Sequence, residues 1–248
     1  MFDGSIENRA RMHAALGEPV RLAIVDQLAL GDASPGELGA AVDVPTNLLA
    51  HHLKVLEEAR LIRRVRSEGD RRRSYVQLCW GDPAVADLLG SPAGRPPGLD
   101  GAGDPTRVVF VCTHNSARSQ LAAAVWSQVS AVPAASAGTP PAERVHPRAV
   151  AVARRHVLDL ARARPRPIGE SLGPRDLIVA VCDNAHEELV ATRPEGQRRG
   201  WLHWAVPDPV RLGTDDAFAA AYADVAHRVQ RLAGALAGVA PGRPDADE

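Results

Sequence analysis

Cys112 and Arg118 are separated by five small or polar residues, Thr113, His114, Asn115, Ser116 and Ala117, and are followed by Ser119 and Gln120. Ahead of them runs Val108-Val109-Phe110-Val111, a β-branched and aromatic stretch of the kind that forms a strand buried on both faces. Behind them comes Leu121-Ala122-Ala123-Ala124-Val125-Trp126, a composition that favours helix. A loop at a helix N-terminus directs free backbone N–H groups at one point, and the helix dipole adds positive potential there. An oxyanion of phosphate size suits that cradle, and Arg118 supplies a planar fork of donors. The same field stabilises a thiolate, which makes Cys112 the candidate nucleophile. Ser119 can donate a hydrogen bond to that sulfur. A cysteine at a strand end can also be a small buried hydrophobe. The strand-to-helix switch, with Asn115, Ser116 and Ser119 around it, favours chemistry. The oxyanion-binding set is therefore Thr113, His114, Asn115, Ser116, Ala117, Arg118 and Ser119.

The elements that must position this loop follow from the pattern downstream. A strand ends near Ala135-Ser136, a helix spans about Pro147 to His156, and Leu177 to Val181 is another β-branched strand. Trp201 to Trp204 is a fourth strand, and Asp215 to Ala237 a long amphipathic closing helix. This alternation predicts an α/β doubly wound domain over residues 106–240, with a four-stranded parallel sheet and its site at the strand carboxyl ends. Cys112 and Cys182 both sit at such ends, and no packing need for a thiol at position 182 is evident. Asp208, in Pro207-Asp208-Pro209, is either an ordinary turn residue or a general acid on a loop beside the site.

Residues 1–90 read as a separate unit. Glu18 to Leu28 has helical apolar spacing, with Pro19 in the first turn and Gly31 beyond the end. Ser34 and Glu37 form a capping box for a helix from Pro35 to Ala41. A further helix, Thr46 to Ala59, places Leu49, Leu53 and Leu56 on one face and Asn47, Ala50, His51 and Lys54 on another. Two short helices joined by a tight turn are a helix-turn-helix pattern. Leu61 to Arg66 and Arg71 to Leu78 then read as a β-hairpin around Ser67-Glu68-Gly69-Asp70. Its arginines make a local basic wing, suited to phosphate contact. An α+β winged helix-turn-helix domain is the prediction, followed by a Pro/Gly-rich linker over 91–105 and the α/β domain; a disordered tail closes the chain over 241–248.

Two resemblances follow from these residues. Leu48-Leu-Ala-His-His-Leu-Lys-Val-Leu-Glu-Glu-Ala-Arg-Leu-Ile62 resembles the ArsR/SmtB winged-helix repressors. That likeness implies a homodimer on a DNA operator. Thr46, Asn47, Ala50, His51 and Lys54 would face the groove, and Arg71, Arg72 and Arg73 the phosphates. Cys112-Thr-His-Asn-Ser-Ala-Arg-Ser-Gln120 resembles the signature loop of the low-molecular-weight tyrosine phosphatase fold, and more narrowly of the arsenate reductases built on it. Ser136-Ala-Gly-Thr139, Asp176 to Cys182, and His203-Trp204 followed by Asp208-Pro209 extend the likeness. It implies a nucleophilic Cys112, Arg118 on the oxyanion and Asp208 as general acid. Cys182 would be a second thiol that expels arsenite and leaves a disulfide. Gln120 stands where related phosphatases usually carry proline, and no aromatic residue directly follows Asp208-Pro209.

Some positions depart from these families. Ala117 replaces a cysteine sometimes found in the loop, and Ala123 a glutamate tied to a cation site. Asp183 to Val190 is thiol-free, so no third cysteine follows Cys182. The first domain offers Cys79 alone, read as a packed hydrophobe, and adjacent His51 and His52 diverge, so no metal site is expected there.

The whole reading is a repressor fused to an arsenate reductase, acting on arsenate, with phosphate or sulfate as mimics. No cofactor is bound; an external thiol reductant (thioredoxin, mycothiol/mycoredoxin or glutaredoxin) recycles it. A fused tyrosine phosphatase, or a non-catalytic oxyanion sensor, is the alternative. The composition agrees. A net charge of −1 over 248 residues gives no global pull toward nucleic acid, so any DNA contact must be local. Three cysteines without close pairing argue against a disulfide scaffold or a zinc knuckle and point to a reducing cytoplasm, and no apolar run is long enough for a membrane span.

Overall fold

The computed structural model describes residues 4–90, 105–170, 172–192 and 201–237. The expected linker, apart from Pro105, and the expected tail lie outside them. The N-terminal unit comprises α1 (Gly4–Leu16), α2 (Pro19–Gln27), α3 (Pro35–Val42), α4 (Thr46–Glu58), β1 (Ile62–Arg66), β2 (Ser74–Leu78) and α5 (Pro83–Leu89). Glu18 caps α2 by accepting from the Val20 and Arg21 amides at 3.1 and 2.9 Å. The Ser34/Glu37 capping box opens α3, and Asp43 closes it in the left-handed region. Leu49, Leu53 and Leu56 of α4 are buried against Met12, Ile24, Leu28, Leu38 and Val76, which form the core of this unit. The hairpin pairs Ile62 with Leu78 and Arg66 with Ser74, so its turn runs from Ser67 to Arg73, longer than expected.

The second unit comprises β3 (Arg107–Cys112), α6 (Arg118–Val129), β4 (Ala134–Gly138), α7 (Pro147–Arg155), β5 (Asp176–Ala180), α8 (Asp183–Ala191), β6 (Trp201–His203), α9 (Pro209–Leu212) and α10 (Asp215–Ala237). Its sheet is parallel throughout, in the order β4-β3-β5-β6. The chain moves one way from β3 to β4 and the other way from β3 to β5 and β6. The crevice at that reversal is where open α/β sheets bind ligands. Phe110 packs between Trp126 and Trp204, with Phe218 of α10 in the same core.

The two units are in contact rather than merely tethered. Trp204 Nε1 donates to the Leu30 carbonyl at 2.7 Å, and Leu30 belongs to the core of the second unit. Buried Asp32 accepts from Arg228 at 3.0 Å, from Gln77 at 2.7 Å and from the Ala205 amide at 2.7 Å. Cys79, read from the sequence as a packed hydrophobe, sits half-buried in the first unit. Burial raises its thiol pKa, which suits a packing role.

Candidate active site

Cys112 ends β3, and its Sγ lies 3.0 Å from Ser119 Oγ in the first turn of α6. The loop between them turns because Asn115 takes a positive φ of 48°, a conformation asparagine tolerates better than most residues. Asn115 is fully buried. Its Nδ2 donates to Ser119 Oγ at 2.8 Å, and its Oδ1 accepts from Gln120 Nε2 at 3.0 Å and from the Arg166 amide at 2.9 Å. Gln120 thus shapes the loop from behind. Gly138, at the end of β4, permits the close approach: a Cβ there would stand 2.8 Å from the Thr113 carbonyl and 3.0 Å from Asn115 Cβ.

The loop carbonyls are engaged outward, Ser116 O by the His146 amide at 2.8 Å and His114 O by the Ala142 amide at 2.9 Å. Among the described residues, the N–H groups of His114, Asn115, Ser116 and Ala117 find no acceptor. They form an anion cradle made by backbone. The loop residues therefore divide by role. The His114 side chain turns outward to the Pro140 carbonyl at 3.1 Å, and Asn115 works as a structural pin.

Arg118 is buried, with Nη1 donating to the Val206 carbonyl at 2.8 Å and Nη2 3.4 Å from Asp208 Oδ1. Burial works to lower its pKa, but its acidic neighbours Cys182, Cys112, Asp208 and Glu68 outweigh that and push it up. Asp208 caps α9 through the Val210 amide at 3.1 Å, which holds its carboxylate at the mouth of the site.

Cys182 follows β5 and caps α8, its Sγ accepting from the Ala185 amide at 3.5 Å. A local structural use for this thiol therefore exists, contrary to the sequence reading. The same sulfur lies 3.5 Å from Thr113 Oγ1, inside the loop that follows Cys112. Burial raises its pKa; Arg118 pulls the other way, and a charged Cys112 raises it further. The two sulfurs therefore share one guanidinium.

The structure thus brings Cys112, Arg118, Cys182 and Asp208 together. Thr46, Asn47, Ala50, His51 and Lys54 lie apart, exposed along α4, while His52 is buried beside them. Arg71, Arg72 and Arg73 are also exposed, with Arg72 bridged to Asp70 at 2.9 Å. Sequence reasoning missed Glu68, Asp183, Glu187 and Arg211, which join the hairpin turn to the site. One signal was available: an acidic tip, Glu68 and Asp70, on an otherwise arginine-rich wing. Among the described residues no three His, Cys, Asp or Glu side chains converge to hold a metal ion.

A thiol and a guanidinium around a backbone anion cradle, at the reversal point of a parallel sheet, define a cysteine-based oxyanion site. The chain belongs to the low molecular weight phosphotyrosine protein phosphatase family, whose model matches residues 107–240. A helix-turn-helix domain model matches residues 16–65. Similar solved structures include an arsenate reductase from Archaeoglobus fulgidus DSM 4304, 30% identical over 51% of this chain and 98% of that one, with a TM-score of 0.44. A YwlE mutant from Bacillus subtilis is 23% identical over 52% of this chain and 96% of its own, with a TM-score of 0.46. A protein tyrosine phosphatase is 26% identical over 54% and 97%, with a TM-score of 0.49. No curated protein matches the chain.

Proposed function

We propose that the chain is a DNA-binding repressor fused to a thiol-dependent arsenate reductase. The observation that carries the enzymatic half is the second buried thiol. Cys182 stands against the loop of Cys112 and faces the same Arg118, an arrangement that hydrolysis of a phosphate ester does not need. The Cys112 thiolate attacks arsenic(V) held by the loop amides and Arg118. An S–As bond forms, and an arsenate oxygen leaves as water, protonated with the help of Asp208. The Cys182 thiolate then attacks the Cys112 sulfur. A disulfide forms, the S–As electron pair stays on arsenic, and arsenite(III) departs. One arsenate and two thiols give one arsenite, one disulfide and one water. An external dithiol, or a small thiol with its redoxin, then reduces the disulfide.

For the N-terminal unit, the exposed face of α4 presents Thr46, Asn47, Ala50, His51 and Lys54 for base and phosphate contact. One such helix reads too few bases for specificity, so a homodimer on a pseudo-palindromic operator is the working form.

A phosphatase reading rests on the family match and on Asp208 beside Arg118. Steady-state arsenate turnover with a thiol system, set against hydrolysis of p-nitrophenyl phosphate, separates the two. Arsenite release well above hydrolysis supports the reductase, and the reverse ranking replaces it with the phosphatase.

A further inference from the structure

The tip of the wing is seated on the oxyanion site. Glu68 places its carboxylate 3.4 Å from Arg118 Nη1 and 3.3 Å from Arg211 Nη2, and both its oxygens accept from the Asp208 amide at 3.1 Å. Its own amide donates to Asp183 Oδ2 at 2.8 Å, on the residue directly after Cys182. Arg118, the Cys182 strand end and the Asp208 loop are therefore all engaged by one residue of the other unit.

The rest of the turn is anchored on Glu187 of α8. Ser67 Oγ donates to it at 2.7 Å, the Asp70 amide at 2.8 Å and Tyr75 OH at 2.9 Å. Gly69 lies so close that a Cβ there would meet Glu187 Oε2 at 2.6 Å and Asn184 Oδ1 at 2.7 Å. Ser67 is 3% exposed. A turn held this way is withdrawn from any nucleic acid that the wing would otherwise reach.

We infer that Glu68 is an internal anionic ligand of the oxyanion site, and that an oxyanion bound by the Cys112 loop displaces it and frees the wing. This rests on the reading of that loop as an oxyanion site but not on arsenate reduction. A carboxylate on Arg118 and a doubly charged oxyanion compete for the same guanidinium, and their like charges repel at short range. Coupling of this kind is reciprocal: what releases the wing strengthens oxyanion binding, and what fills the site loosens the wing. Arg71, Arg72 and Arg73 lie in the same turn, directly after the tip, so the wing's cations are released with it. Occupancy of the catalytic site thereby becomes a signal to the DNA-binding unit.

Inorganic phosphate on the full chain is the probe, with affinity read by calorimetry and the wing by amide hydrogen exchange over residues 67–70. Glu68→Gln should bind phosphate about tenfold more tightly than wild type. Glu187→Gln, which loosens the anchor without touching Arg118, should also tighten it. Saturating phosphate should speed exchange of the Glu68 and Asp70 amides in wild type. Unchanged affinity in both variants, or wing exchange indifferent to phosphate, overturns the inference. Tighter binding in Glu68→Gln alone overturns it too, since that reports only a removed charge. Absence of phosphate binding in wild type and in both variants instead rejects the oxyanion site, and the inference falls with it.

Discussion

Thr113 Oγ1 and Cys182 Sγ stand 3.5 Å apart, across the ends of two neighbouring parallel strands. The contact ties the candidate oxyanion loop to the thiol that, in the proposed mechanism, would resolve the adduct. It also separates the duties of the site. In the proposed mechanism Cys112 would make the first bond, Arg118 and the loop amides would carry the charge, and Cys182, beside Thr113, would act second.

Single substitutions should divide these duties. Cys112→Ser is expected to lower arsenate turnover by about 10³-fold or more while leaving the fold unchanged, because a hydroxyl does not ionise at neutral pH. Arg118→Ala should weaken oxyanion binding and rate together. Asp208→Asn should lower kcat by about 10²–10⁴-fold with little change in KM. Steady-state kinetics with circular dichroism as the folding control check all three.

Gly138 tests the packing of the loop. A methyl at this position meets the Thr113 carbonyl at 2.8 Å, which is backbone and cannot swing away. Gly138→Ala should cost about 1–3 kcal/mol of stability and weaken phosphate binding as the cradle deforms. Urea unfolding and calorimetry on the same sample give both numbers.

The buried pair Arg228 and Asp32 tests the contact between the units. Arg228→Ala leaves Asp32 buried and still bound to Gln77 and the Ala205 amide, but without its cation. A loss of about 3–5 kcal/mol is expected, and the double variant Arg228→Met with Asp32→Asn should recover part of it. Urea midpoints of the single and double variants decide.

The Cys182 step should carry a pH signature. Burial is the largest influence on this thiol and raises its pKa, with Arg118 opposing. Attack needs the thiolate, so a raised pKa means less reactive form at neutral pH. Arsenite release from the preformed Cys112 adduct should therefore rise about tenfold per pH unit and keep climbing where an ordinary thiol has levelled off. Rapid-quench single turnovers at stepped pH measure it, and a plateau near neutral pH would count against this order of events.

Much of this structure is legible in local patterns. The capping box at Ser34 and Glu37, the strand leading to Cys112 and the helix from Asp215 to Ala237 are encoded within a few residues of themselves. So is the catalytic loop, because its residue types and its strand-to-helix setting are contiguous. α8 was missed because Asp183 to Ala191 is short and acid-rich, and α1 because Gly4 to Leu16 carries its apolar residues without a clear period. The role of Glu68 was out of reach for another reason. Its partners lie 50, 140 and 143 positions away, and only the packing of the two units brings them together.

The reductase mechanism stands or falls on the bond left behind after one turnover. Wild-type protein is reduced, freed of reductant and given a stoichiometric amount of arsenate. Its free thiols are then trapped at low pH, and the digest is analysed by mass spectrometry. A peptide linking Cys112 to Cys182, formed in step with arsenite and absent from Cys182→Ser, is the expected result. Arsenite without that link, or protein carrying only free thiols or a mixed disulfide at Cys112, would contradict the mechanism.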